Sequence, residues 1–113
     1  MMIKRQKMPK THIPLMEAII GLPFYTREEF RKQQQYAEDR FGYESYEQWV
    51  RSHRELRRKL EALGIVVIEV PIDVEEMQQY FLQHGLRNDA ANRSQYVARK
   101  LFEQRDLLVS LRR

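Results

Sequence analysis

The chain has 113 residues, no cysteine and a formal net charge of +4 at pH 7, and 42% of its residues are hydrophobic. This length and composition predict one soluble globular domain with a single hydrophobic core. The lack of cysteine excludes disulfides, thiolate zinc sites and cysteine nucleophiles, and no stretch has the roughly 20 apolar residues that a bilayer-spanning helix needs. We also expect no signal peptide, and therefore a cytoplasmic protein without a membrane partner.

The N-terminal part of the chain is basic and aperiodic. Residues 1–12 are predicted to be a flexible arm, and residues 13–113 a single compact helical domain. A short helix is predicted over Ile13–Ile20, because Pro14 suits a first helical turn and Gly21 can supply a left-handed cap. An extended connector is expected to follow from Leu22 to Tyr25.

Three further helix starts share one pattern. Thr26, Ser45 and Asp73 can each accept a hydrogen bond from a first-turn amide, and each is followed three residues later by Glu or Gln and then by a large apolar residue. This is the pattern of a capping box. It predicts helices over residues 27–41, 46–63 and 74–84, and a last helix is predicted over residues 90–109. The first of these has a thin apolar line and should lie on the surface.

Between the second and third of these helices lies an apolar, β-branched run, Ile65–Val70, which predicts a strand buried on both faces. Its backbone groups need partners. The candidates are the weak segments 2–6, 12–16 and 22–25, or the same strand of a second copy in antiparallel pairing. The predicted fold class is α+β, predominantly helical, in the order α-α-α-β-α-α.

Self-association is the first functional hypothesis. A heptad-like stripe runs along the 46–63 helix, although it is shorter than a free-standing coiled coil. We expect a homodimer, and a non-catalytic protein-interaction or accessory module. The candidate self-association residues come from the stripe and the strand: Trp49, Leu56, Leu60, Val66, Ile68 and Val70.

Nucleic-acid binding is the alternative hypothesis, because the chain is basic with a pI near 9.5. The candidate contacts lie on the arm and on the exposed face of the last helix: Lys4, Arg5, Lys7, Lys10, Asn92, Arg93, Gln95, Arg99 and Lys100. Acidic residues are interspersed on that face, which favours a solvated surface. A second basic cluster, Arg51–Lys59, has glutamates at helical spacing and is expected to pair with itself.

Catalysis is not predicted. His12, His53 and His84 are too far apart in sequence to form a local metal-binding pair. The glycines fall at helix ends or connectors, which leaves none for a phosphate-binding loop. We therefore expect no cofactor and no small-molecule ligand.

Overall fold

The computed structural model describes the backbone of residues 18–112 and the side chains of residues 18–104. Within this range the fold is α+β and mostly helical, in the order β-α-α-β-α-α. The elements are β1 (Ile19–Phe24), α1 (Arg27–Tyr36), α2 (Tyr46–Ala62), β2 (Val66–Pro71), α3 (Val74–His84) and α4 (Ala90–Arg112). None of these helices combines the length and the apolarity that crossing a membrane requires.

The two strands pair in parallel, with Ile19 opposite Val66 and Phe24 opposite Pro71. The predicted helix over 13–20 is therefore wrong at Ile19 and Ile20, and its first residues lie outside the described range. Gly21 lies inside β1 and not at a helix cap. The physical reason is the need of β2 for a hydrogen-bonded neighbour, which overrides the local preference of the 19–24 segment.

The hydrogen-bonded partner of β2 therefore lies in the same chain. Of the three candidate segments, the 22–25 connector supplies part of β1, and the strand extends three residues further toward the N-terminus. The crossover from β1 to β2 contains α1 and α2, as a parallel connection requires. A second copy is therefore not needed to satisfy the inner edge of β2.

Helices cover both faces of the two-stranded sheet. In a parallel pair, opposed residues share a face, so Gly21 lies on the same face as Ile68 and Val70. A Cβ atom on Gly21 would lie 3.1 Å from Cγ2 of Val70 and 3.2 Å from Cδ2 of Leu101, which shows how closely α4 packs here. On the opposite face, the rings of Phe24 and Trp49 of α2 lie 6.2 Å apart.

The three predicted helix caps are confirmed. The side chains of Thr26, Ser45 and Asp73 each accept a hydrogen bond from the backbone amide three residues later, at 3.0–3.2 Å. The reciprocal half of the capping box is found at none of these three starts: Glu29 accepts a 2.7 Å hydrogen bond from the amide of Val74, and Gln48 accepts one from the amide of Glu44. A glutamate of α1 thus caps the start of α3 and ties the two helices together.

Helix α1 ends at Tyr36, five residues before the predicted end. Ala37 adopts an extended ψ of 131°, and the amide of Glu38 donates to the carbonyl of Asn88. The chain leaves the helix because the 37–45 segment packs against the loop between α3 and α4. The predicted surface helix also buries Gln33 completely, since that amide is hydrogen-bonded inside the protein.

The hydrophobic core lies between the sheet and all four helices, and Tyr96 and Val97 are the buried residues that α4 contributes to it. Phe30, Trp49, Met77 and Phe81 are buried together with Val70 of β2. Full burial of a side chain such as Phe81 contributes about 2–3 kcal/mol. The predicted stripe on α2 divides here, because Trp49 enters the core whereas Leu56 and Leu63 remain 45% and 76% exposed.

Candidate functional site

Strand β1 pairs with β2 along one edge, and no other strand among the described residues pairs with its second edge, which we call the open edge. The amides of Val66 and Ile72 donate to the carbonyls of Ala18 and Phe24, each at 3.0 Å. Because both backbone groups of a strand residue point to the same side, and the sides alternate along the strand, the even-numbered residues of β1 face β2. The odd-numbered residues therefore turn their N–H and C=O groups away from β2.

The residues that face outward are Ile19, Gly21 and Pro23. Pro23 lacks an N–H group, and at this position its absence costs no bond to β2. Pro71 of β2 occupies the equivalent outward position on the other edge of the sheet. Among the residues that the structure describes, none forms a hydrogen bond with the outward backbone groups of Ile19 or Gly21.

The open edge of β1 lies in a groove of about 620 Å³. We call it the edge groove. One wall comes from α2 and the other from α4, and the loop after α1 closes the end near Tyr25. Apolar side chains and β1 itself supply most of the lining, and the walls and closed end are formed by Tyr25, Phe41, Tyr43, Trp49, Leu56, Val97, Ala98 and Leu101. Such a lining suits the side chains of an extended, largely apolar ligand.

The closed end of the edge groove is polar. The guanidinium of Arg93 donates to both carboxylate oxygens of Asp39 at 3.0 Å, and it lies 5.3 Å from the centre of the Phe41 ring. The hydrogen bond from Arg93 lowers the pKa of Asp39. Burial raises the pKa of Tyr25 to about 12, so this phenol stays neutral. At this end of the groove the charges of Asp39 and Arg93 are thus paired with each other.

Behind this ion pair lies a buried hydrogen-bonded network. Arg93 donates to the side-chain oxygen of Asn88 at 2.9 Å, and Asn88 exchanges hydrogen bonds with Gln33. The side-chain Nδ2 of Asn88 also donates to Oε1 of Gln78 at 3.1 Å. Because these polar groups satisfy one another, the network holds α1, α3 and α4 in place, and it indicates a structural role.

The predicted self-association residues are distributed over three environments. Trp49 and Leu56 both line the edge groove, Trp49 from the core and Leu56 from the surface. Val66, Ile68 and Val70 share the face of β2 that α4 covers, and Leu60 is half-buried. Sequence reasoning named residues 22–25 as one possible strand partner but assigned Ile19 and Ile20 to a helix, and so it missed the first half of β1; the exposed apolar side chains of this strand are Ile19, at 45%, and Phe24, at 39%. Two features of the sequence could have indicated an edge strand here: the adjacent β-branched residues Ile19 and Ile20, and Pro23, since proline in sheets is confined to edge positions.

The predicted nucleic-acid contacts on α4 are mostly engaged within the protein. Arg93 is bonded to Asp39, and the side chain of Asn92 donates to the carbonyl of Arg87 at 2.9 Å. Arg99 pairs with Glu103, and Lys100 pairs with Glu76 at 3.1 Å. Gln95 is exposed. Lys4, Arg5, Lys7 and Lys10 lie outside the described residues, so the basic arm stays a prediction.

The outer face of α2 carries cations that lack ion-pair partners among the described residues. The glutamates of this helix are occupied, since Glu47 pairs with Arg27, Glu55 with Arg58 and Glu61 with Arg57. The remaining exposed cations are Arg51, Arg54 and Lys59. The predicted self-pairing of this cluster therefore holds for only part of it.

His53 and His84 each form a contact within the protein, and His12 lies outside the described residues. Nε2 of His53 lies 2.8 Å from Oε1 of Glu69, whose other oxygen accepts from Arg57. Nδ1 of His84 lies 2.9 Å from the carbonyl oxygen of Tyr80. In the part of the chain that the structure describes, no three His, Asp or Glu side chains converge as a metal site would require.

Comparisons of the chain with protein-family models, with curated proteins and with solved structures give no match.

Proposed function

We propose that this protein is a non-catalytic protein-interaction module that binds an extended polypeptide segment along the open edge of β1. The observation that carries the proposal is that Ile19 and Gly21, whose outward backbone groups have no partner among the described residues, both line the edge groove. An uncovered strand edge is a template for another strand. Backbone hydrogen bonds would supply affinity, and the groove walls would select alternate side chains.

The composition of the edge groove supports a binding role over a catalytic one. Its acid–base pair, Asp39 and Arg93, is used to hold the loop after α1 against α4. Tyr25 has a pKa of about 12 and cannot act as a base near neutral pH. Apart from that pair, Arg40 and Ser94, the lining is mostly apolar surface, which contributes binding energy to a partner.

A peptide selection tests this proposal. Random linear peptides would be selected on the sparsely immobilised protein, and their affinities measured by the fluorescence of Trp49, which is the only tryptophan and lines the groove. We expect selected peptides to lose about tenfold or more in affinity for Ile19→Lys, because a lysine at a strand edge opposes pairing.

Leu82→Lys is the matched control, since Leu82 is 65% exposed on α3 and does not line the groove. It should leave the affinities unchanged. The proposal is refuted if no peptide is enriched, or if the enriched peptides bind Ile19→Lys as tightly as the wild-type protein.

Nucleic-acid binding is the second candidate, and the exposed cations of α2 that have no ion-pair partner among the described residues favour it. These cations could contact phosphates, and each contact would add to the dependence of affinity on salt. We expect the Arg51→Gln/Arg54→Gln double variant to reduce the slope of log affinity against log salt for duplex DNA by about 2. Arg99→Gln is the control, because Arg99 already pairs with Glu103. Absence of any DNA binding at low salt removes this candidate.

A further inference from the structure

We infer that the segment bound in the edge groove is β1 of a second copy of this chain, running antiparallel, so that the dimer contains one four-stranded sheet in the order β2-β1-β1-β2. This inference rests on the proposed function and names its partner. It moves the predicted self-association from β2, whose inner edge is occupied, to the open edge of β1.

The two open edges of the sheet differ in chemistry. The outward residues of β1 are Ile19, Gly21 and Pro23, which carry no charge. The outward residues of β2 include Glu69, whose carboxylate is held by His53 and Arg57 of α2. A charged side chain at an edge opposes the addition of a strand. The edge of β1 is therefore the one suited to pairing.

The open edge of β1 is complementary to itself. If a two-fold axis passes beside Gly21, the two copies of Gly21 exchange both of their N–H···O=C hydrogen bonds. The amide of Ile19 then faces the carbonyl of Pro23 of the second copy, and the same contact is repeated by symmetry. All outward N–H groups of β1 are then hydrogen-bonded. Because Pro23 has no N–H group, the carbonyl of Ile19 is the one outward group left unpaired, and an unpaired carbonyl is tolerated better than an unpaired N–H.

The width of the covering helices also matches the spacing of the strands. Strands in a sheet lie about 4.8 Å apart, whereas a helix with its side chains is about 10 Å wide. One helix therefore covers two strands, and each copy brings α2 for one face and α4 for the other. Joining the copies produces a four-stranded sheet covered by two helices on each face. Four strands is a typical size for a sheet.

The pairing would also cover apolar side chains that the single chain leaves in water. Ile19 is 45% exposed and would lie opposite Pro23 of the second copy, on the face that α4 covers. On the other face, Ile20 would lie opposite Leu22, beside Leu56, which is 45% exposed and lines the groove. Removing these surfaces from water favours association.

Sedimentation equilibrium from about 1 µM to about 200 µM measures the association directly. We expect the wild-type protein and Leu82→Lys to dimerise in this range, and Ile19→Lys to raise the dimer dissociation constant at least about tenfold. Circular dichroism checks that each variant is folded. If Ile19→Lys is not, Leu56→Lys takes its place, because this exposed residue lies on the groove wall.

Amide hydrogen exchange identifies the edge that is used. At dimeric concentrations the amides of Ile19 and Gly21 should exchange at least about tenfold more slowly than at monomeric ones. The outward amide of Glu69 on β2 is the matched control and should not change. The inference is overturned by a monomer at the highest concentration, by a dimer that Ile19→Lys does not weaken, or by protection of Glu69 in place of Gly21.

These outcomes are distinct from failure of the proposed function. Peptides that depend on Ile19, together with a monomer in sedimentation, would support the edge groove as a binding site and assign it to a different protein. Failure of the peptide selection and of dimerisation together would reject both.

Discussion

Replacement of Asp39 by alanine should destabilise the protein strongly, although this residue lies in an irregular segment. Asp39 accepts two hydrogen bonds from Arg93, whose side chain is only 10% exposed, and a third from the amide of Ala90 in the first turn of α4. The substitution leaves a buried guanidinium without its counter-charge and an uncapped amide at the helix start.

The size of the expected destabilisation follows from the burial of Asp39 and Arg93. Removing one member of a buried ion pair costs about 3–5 kcal/mol. Asp39 is 25% exposed, so water can reach the guanidinium in the variant, and Asn88 still accepts from Arg93. We therefore expect the lower end of that range, about 3 kcal/mol, with loss of the amide contact to Ala90 adding about 0.5–1 kcal/mol.

Urea unfolding followed by the fluorescence of Trp49 and by circular dichroism measures this loss, at one protein concentration for all variants. Glu28→Ala is the control, because Glu28 and its partner Arg31 are both more than half exposed, and it should lower the free energy of unfolding far less than Asp39→Ala does. If Asp39→Ala costs as little as Glu28→Ala, the ion pair does not hold the 37–45 segment as described. The Asp39→Ala/Arg93→Met double variant should cost less than the sum of the single changes.

Two further predictions concern acid stability and a helix end. Because Arg93 lowers the pKa of Asp39 below its ordinary value of 3.8, the stability from this pair is complete above that pH and is lost as the pH falls through the lowered pKa. Unfolding free energies measured at pH values above and below 3.8 should therefore fall less in Asp39→Asn than in the wild-type protein, and an equal fall contradicts this account. Gly85 has a φ of 64°, with no atom within 4 Å of an added Cβ, so Gly85→Ala should lower the free energy of unfolding by about 1 kcal/mol through the backbone alone. Thermal melts check this value, and an unchanged melting temperature refutes it.

The sequence alone determined the elements whose signals are local. The side chains at 26, 45 and 73 accept hydrogen bonds from amides three residues away, so the starts of α1, α2 and α3 were predictable within a residue. The end of α3 was predictable because Gly85 can adopt a positive φ. The strand at 66–71 was also recognisable, because consecutive β-branched residues favour extended backbone in any context.

The tertiary structure alone decided which contacts join distant residues. Residues 19–24 form a strand because β2, more than forty residues later, offers it a ladder. Helix α1 ends at Tyr36 because the amide of Glu38 bonds to Asn88. Gln33 and Arg93 look like surface residues in the sequence, yet they are buried because each finds a partner across the core. Hydrogen bonds within four residues can be inferred from spacing, whereas those between remote segments depend on how the whole chain packs.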